Sequence, residues 1–483
     1  MSTLRGNHAV ILGGSMAGLL TARVLADFYQ RVTIVERDAL CEGPTARRGV
    51  PQSGQAHIPL ARCTQILEEL FPGFLGELRD RGVPVWDDGD LSRLCVKYLG
   101  HQTVQRGTLP DTMANSLHFP SRPLLEDHVR RRLRAISNVV VLDGHTVLGL
   151  IATSAKDRVT GVRVSDGHQQ RELAADLVVD ATGRGSRTPV FLHELGYRRP
   201  TEDELTIRLT YASQLVRFRP DAVPEDLILI GPQPGRPTTF ACTAQENGTA
   251  MVLVSGMTGT QPPGTREELI AFAAPFTPAH ALAAWASAEP LGAVARYRVP
   301  SSRWRRYDRM RRFPRGLLVV GDAMCSFNPI YGQGMAVAAL EALVLRDCLT
   351  RGDQDRPQRF FRAAAKEIRV AWQTAVGSDL ALPEVPGPRP LSMRLTNGYL
   401  DWVMTAAETD PLVSGQLARL TGMIDPPSRL LRPSFVARVA RVHLRSTVRR
   451  SRRGTVTDGD RPLPDLSAAD RYVVGGSAKQ AGR

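Results

Sequence analysis

Apolar and polar positions fall into blocks of two kinds. Residues 9–12 (Ala-Val-Ile-Leu) form a short apolar run that enters a glycine loop at 13–18 and then a helix-like stretch to about residue 28. A second run, 32–35 (Val-Thr-Ile-Val), ends in Glu36. Strand, tight turn, helix and strand in that order predict a βαβ opening. Residues 44–54 are rich in Gly, Pro and Arg and read as an ordered loop, and helical spacing resumes over 60–70. Short strands and turns alternate over 138–180 and end at Asp180. Residues 205–257 read as antiparallel strands, with Glu246-Asn247-Gly248 as a hairpin turn. Helical stretches follow at 266–275 and 280–288, a strand near 294–299, and a buried strand at 317–320 that runs into Gly321-Asp322. A long helix is predicted from about residue 334 to 348, and a helical region over 356–424, broken by the proline-rich stretch 383–390.

This order predicts an α/β (α+β) fold in which a Rossmann-like domain is interrupted by a mixed β-sheet domain and then completed. The expected boundaries are 1–190 for the first part of the nucleotide-binding domain and 191–300 for the β-sheet substrate-binding domain. Residues 301–350 complete the first domain, 351–453 form a helical C-terminal region, and 454–483 are expected to be a disordered tail. A chain of 483 residues is long enough for such an arrangement.

Charge changes the picture once. The formal net charge is +14, which by itself invites a nucleic-acid reading. Only four of the 62 basic residues are lysines, and the excess is local. Residues 428–453 hold nine arginines and no acid, and residues 303–315 hold seven arginines and one Asp. Together they exceed the net charge, so the rest of the chain is close to neutral and nucleic acid is not an expected partner. The 303–315 cluster reads as a solvated loop, with an entrance for a phosphorylated cofactor as the alternative. In 428–453, Phe435, Val436, Val439 and Val442 share one helical face amid arginines. Such a helix could rest on an anionic membrane surface or an acyl carrier protein. Six cysteines without CxxC spacing argue against a zinc site or a disulfide framework and fit a reducing cytoplasm. No apolar run reaches the roughly 18 residues of a membrane span.

The candidate chemistry sits at the strand ends. Gly13, Gly14, Ser15, Met16, Ala17 and Gly18 form a GxGxxG-like turn, with serine at the middle glycine position. The glycines allow a tight turn and close backbone approach, and the following helix N-terminus offers N–H groups to a pyrophosphate. Glu36, followed by Arg37, lies where a carboxylate accepts ribose hydroxyls. These residues leave NAD and FAD both open. A second strand-to-helix loop reads Gly321-Asp322-Ala323, then Asn328-Pro329-Ile330-Tyr331-Gly332-Gln333-Gly334-Met335. Between the two, Asp180-Ala181-Thr182-Gly183-Arg184 closes a strand.

The three motifs in this order resemble those of the group A FAD-dependent monooxygenases, which have the para-hydroxybenzoate hydroxylase-like fold. The resemblance spans roughly residues 8–350. It implies that Asp322 binds the ribityl hydroxyls and that Pro329, Gly332, Gly334 and Met335 lie along the flavin edge. It also implies that Asp180 and Gly183 lie near FAD. Arg47-Arg48-Gly49-Val50-Pro51-Gln52 with His57 is similar to a segment of actinobacterial polyether and squalene epoxidase-like members. Those usually carry an arginine where this chain has Gln55. Ser121-Arg122-Pro123-Leu124-Leu125-Glu126 matches the family's helix start, in which Arg122 approaches FAD.

The resemblance further implies oxygen insertion from O2 through a flavin C4a-hydroperoxide, with NAD(P)H as reductant, directly or through a separate flavin or ferredoxin-type reductase. The expected reaction is epoxidation of an alkene in a lipophilic or carrier-bound polyketide or terpenoid intermediate, of the kind met in antibiotic biosynthesis. Aromatic hydroxylation and prenyl-chain reduction are the alternatives. Hydroxylation of a phenol benefits from a base. Tyr211, Tyr331 and His118 are the residues that could reach a pocket, and packing is the expected role of each, which favours the alkene. A halogenase would share the first motif, but the five tryptophans are isolated and form no Trp-x-Trp-x-Ile-Pro.

Overall fold

The computed structural model describes residues 4–47, 49–50, 54–109, 116–352 and 356–454, with side chains to residue 445. Arg48, Pro51, Gln52 and the expected tail at 455–483 lie outside the described residues.

Among the described residues, a five-stranded parallel sheet forms the first layer. Its strands run in the order Leu317–Val319, Leu177–Asp180, Gly6–Leu12, Tyr29–Val35 and Val139–Leu142. Such a sheet is covered on both faces, which is why its strands read as continuous apolar runs. Ile11, Val32, Ile34 and Val179 are fully buried. The Met16–Ala26 and Gln333–Thr350 helices pack on it and on each other.

The second layer is a large mixed sheet built around the antiparallel strands Glu202–Arg217, Thr238–Gln245, Thr249–Gly256 and Ala295–Arg305. One face packs Phe240, Val252 and Val254 against Trp285 of the Ala279–Ser287 helix. The other face carries Leu209, Tyr211, Ala241 and Leu253, and meets Leu380, Leu382, Val385 and Ile330. This sheet also recruits Leu94–Tyr98, which lies parallel to Leu227–Ile230 within the stretch expected to be wholly nucleotide-binding. The hairpin turn forms as the residues require, with Asn247 at φ 60° and Gly248 at φ 64°. Glu246 in that turn accepts hydrogen bonds from the Ser121 backbone N–H (2.9 Å) and hydroxyl. It thereby ties the sheet to the start of the Arg122–Arg134 helix.

The C-terminal helices are Pro357–Leu380, Leu391–Ala407, Pro411–Thr421 and Pro433–Gly454. No helix among the described residues is long and apolar enough to cross a membrane.

Both arginine clusters differ from expectation in part, although Arg309, Arg311, Arg312 and Arg315 are exposed as expected. Residues 303–305 are the end of a strand, not a solvated loop. Arg305 and Arg306 are buried: Arg305 donates to Glu202 (3.1 Å), Arg306 pairs with Asp203 (2.6 Å) and Asp308 (2.7 Å), and the Arg306 guanidinium lies 3.8 Å above Trp304. The apolar face of the last helix is not free either. Val439 is fully buried, and Phe435 and Val442 pack with it against Val403, Ala406, Ala407 and Val413. What faces outward is a cleft of about 500 Å³ walled by Arg419, Arg429, Arg432, Arg438 and Arg441.

Candidate functional site

Three loops converge at the carboxyl ends of the parallel strands, where such sheets bind ligands. The first is the turn after Gly6–Leu12. Gly13 adopts φ +101°. A Cβ on Gly18 would lie 1.9 Å from the Gly13 carbonyl oxygen, so the helix can start this close to the strand only with glycine there. Ser15 precedes the helix without capping it through its side chain, and no acidic residue occupies the first turn. The N–H groups of this helix end are thus available to an anion. Met16 and Gly18 are buried, and Ala17 is half-buried.

Glu36 is buried at the end of the second strand. Its Oε2 accepts from the Gly14 N–H (2.8 Å) and its Oε1 from the Asp38 N–H (3.0 Å). Arg47 spans the same loop. It pairs with Glu36 (3.2 Å) and closely with Glu126, and it donates to the Gly14 carbonyl (3.2 Å). Arg122 donates to the Ser15 hydroxyl (3.0 Å) and pairs with Glu126 (3.2 Å), and Ser15 in turn donates to Glu126 (2.9 Å). Burial works against the Arg47 charge, yet Glu126 and Glu36 outweigh it and raise its pKa. Burial also opposes the Glu126 charge, but Arg122 and Arg47 hold its carboxyl below the usual range. Arg47 and Glu126 were therefore missed as site residues. The adjacent Arg48 is undescribed, and Arg37 is exposed.

The second loop carries Asp322. A Cβ on Gly321 (φ +62°) would lie 2.6 Å from the Ala17 side chain, which brings the two loops into contact. The Asp322 carboxylate receives no hydrogen bond from the described residues and faces a cavity of about 160 Å³. Arg184, Pro300, Arg303, Arg305, Met324 and Ser326 line the rest of it. Burial raises the Asp322 pKa, and Arg184 and Arg122 partly offset this. The Gln333–Thr350 helix begins at Gly332 (φ +66°), again without a side-chain cap or an acid in its first turn. Pro329 is exposed, Gly332 and Gly334 are half-buried, and Met335 is buried in the core.

The third loop is the Asp180 turn. Asp180 Oδ1 accepts from the Thr182 N–H (2.9 Å) and hydroxyl, and Oδ2 from the Ser186 and Thr188 hydroxyls. Its oxygens are engaged within their own turn, so Asp180 shapes the loop. Gly183 turns the chain at φ +75°, and Arg184 reaches across to donate to the Ser301 carbonyl (2.7 Å).

His57 lies beside Arg122. Burial, then the Arg122 charge, lowers its pKa to about 4, so it is neutral at physiological pH. Gln55 is buried and accepts from the Ser213 hydroxyl of the large sheet. His118 lies elsewhere, paired with Val85 in a two-stranded ribbon.

A dinucleotide fits this arrangement: two open helix N-termini, a buried arginine, and a carboxylate with no internal donor stand on adjoining loops. Glu36, Ser15, Arg122, Asp322 and the Gly332–Gly334 backbone would hold FAD.

The fold is shared with solved flavin-dependent enzymes. The flavin-dependent brominase Bmp2 superposes with a TM-score of 0.64 at 14% identity, over 93% of this chain and 100% of that one. The p-nitrophenol 4-monooxygenase PnpA of Pseudomonas putida DLL-E4 gives 0.63 at 16% identity, over 88% and 100%. OxyS anhydrotetracycline hydroxylase of Streptomyces rimosus gives 0.55 at 18%, over 87% and 76%. By sequence, the chain belongs to the family of protein Rv3254 of Mycobacterium tuberculosis, to which it is 37% identical over 432 residues, covering 87% of this chain and 90% of that protein. No family model matches the chain.

Proposed function

We propose that this chain is an FAD-dependent monooxygenase that places one atom of O2 in a lipophilic organic substrate. One observation carries the reading: the unbonded Asp322 carboxylate and two uncapped helix N-termini meet at the ends of the parallel sheet. The likeness of fold to a solved 4-monooxygenase and a solved hydroxylase supports it. When bound, FAD supplies the redox and oxygen-transfer chemistry. NAD(P)H is the proposed electron source, directly or through a separate reductase.

The protein's own residues do the rest. The Gly13–Gly18 turn and Arg122 hold the pyrophosphate. The large sheet packs its Tyr211 and Leu253 face against Ile330 of the second loop, which keeps water from that side of the loop. The wall there includes a buried carboxyl group, Asp379. A carboxyl in an apolar wall favours hydroxylation of a polar ring or enol over epoxidation of a plain alkene, whose oxidation needs no base.

The test is direct. Purified protein loaded with FAD should show flavin absorbance that bleaches on reduction. Turnover should consume O2 and give a product 16 mass units heavier. A protein that retains no FAD overturns the flavin reading, and a product gaining two hydrogens without O2 uptake indicates a reductase.

A further inference from the structure

Five guanidinium groups face one cleft of about 500 Å³ in the C-terminal region. Arg419 stands on the Pro411–Thr421 helix, and Arg438 and Arg441 stand on the Pro433–Gly454 helix. Arg429 and Arg432 come from the segment that joins the two. Two acids answer these five cations. Asp425 accepts from Arg419 (2.7 Å) and lies 3.7 Å from Arg429. Arg438 Nε donates to both oxygens of Asp410 (3.0 and 2.9 Å). Asp410 is further engaged as a helix cap by the Leu412 (2.9 Å) and Val413 (3.1 Å) N–H groups. Arg432 and Arg441 are exposed and have no acidic partner among the described residues. No acid among the described residues lines the cleft itself.

Five cations against two carboxylates leave an excess of three positive charges. A recess lined by one sign of charge focuses its field on an ion of the other sign. The Pro433–Gly454 helix adds to that field. It has no acid in its first turn, and Ser434 of that turn lines the cleft.

The rest of the lining is apolar. Leu109 is buried, and Gly415 lies so close that a Cβ there would stand 3.0 Å from the Leu109 side chain. Leu412 is 44% exposed, and Phe435 is half-buried. An arginine wall thus adjoins apolar surface that is not covered by the chain. The shape decides the kind of occupant. A flat bilayer cannot follow these side chains into a recess, whereas a volume of this size suits one small molecule.

The cleft lies apart from the flavin-binding loops but adjoins their support. The Arg62 N–H donates to the Gly422 carbonyl (3.0 Å), just past the Pro411–Thr421 helix. Leu60, two residues earlier, lies 3.6 Å from where a Cβ on Gly332 would stand.

We propose that this cleft is a second ligand site, separate from the flavin site, for a soluble amphiphile with a phosphate monoester head and an apolar chain. Arg432 and Arg441 hold the phosphate, whose oxygens match the guanidinium fork. A dianionic head offsets most of the excess charge, and a carboxylate offsets less. The chain lies on Leu412 and Phe435. The proposal does not rest on the flavin reading.

The experiment is calorimetric titration of the full, FAD-loaded chain with octyl phosphate below its micelle concentration. Inorganic phosphate, octanoate and 1-octanol are the comparison probes. Octyl phosphate should bind roughly tenfold or more tightly than each of them, and more weakly as salt is raised. Combining Arg432→Ala with Arg441→Ala should weaken it by roughly tenfold or more, with FAD content and ligand-free Tm unchanged. Leu412→Ser should reduce the preference for octyl phosphate over inorganic phosphate. No binding of octyl phosphate, octanol or octanoate bound as tightly, or full affinity in the double variant overturns the proposal. Flotation of the chain with phosphatidic acid vesicles, but not with phosphatidylcholine vesicles, makes a bilayer the source of the phosphate and overturns the soluble ligand.

Discussion

The two ends of the site are built on opposite electrostatics. At the Gly13–Gly18 turn, Arg122, Glu36 and Glu126 are buried and Arg47 is half-buried, and each faces an opposite charge within 3.2 Å. At the sheet-facing end, Asp379 is as deeply buried and has only neutral donors. Opposite charges are paired at the first end, while burial raises the Asp379 pKa to about 7, where it can gain or lose a proton. A nucleotide needs a rigid, permanently charged cradle, and proton transfer needs a group near its own pKa.

The comparison can be broken most sharply at the charged end. Arg47→Ala leaves Glu36 and Glu126 buried beside each other and should cost about 3–5 kcal/mol, read as a fall in Tm and in FAD retention. The double replacement Arg47→Met with Glu126→Leu should recover much of the lost Tm. If the single change is silent, the network contributes nothing.

At the neutral end, the expected effect is a pH dependence. The folded-state pKa of Asp379 is raised to about 7 from the ordinary 3.8. Its favourable contribution is therefore complete below pH 4 and lost as pH rises through 7. Stability of the wild type relative to Asp379→Asn should drop by roughly 3 kcal/mol between pH 5 and pH 8. Glu341, buried behind the second loop and raised to about 8 by burial, adds a loss of the same sign at higher pH. Glu341→Gln should therefore be relatively more stable at pH 9 than at pH 6 in thermal melts.

A smaller effect is steric. Gly18→Ala forces a Cβ into the Gly13 carbonyl and should cost about 1–3 kcal/mol, together with weaker FAD binding in a fluorescence titration. The smallest concerns the exposed arginines. Arg432→Ala and Arg441→Ala should change Tm by less than the equivalent of about 0.5 kcal/mol.

Much of the fold was legible because its signals are local. The Gly13–Gly18 turn, Glu36, the Gly321-Asp322 strand end and the Glu246-Asn247-Gly248 hairpin each declare themselves within a few residues, and the structure forms all four. The misread parts depend on distant partners. Arg303 and Arg305 alternate as strand residues do, but their acids, Glu202 and Glu204, lie about a hundred positions away, so the cluster read as a solvated loop. Arg47 was legible only as one of two adjacent arginines. The inward turn of Arg47 depends on Glu126, seventy-nine positions on. The face of Val439 looked free because Val403 and Val413, which cover it, belong to other helices. Asp379 carried no signal at all. It is a single acid in a helix, and only the fold sets it against Asn328 and Tyr331, about fifty residues earlier.

The most direct measurement is an infrared pH titration of the FAD-loaded chain, taken as the difference between wild type and Asp379→Asn. The account predicts a protonated-carboxyl band belonging to Asp379 that persists to near pH 7 and then disappears. An Asp379 band already lost by pH 4 would contradict it.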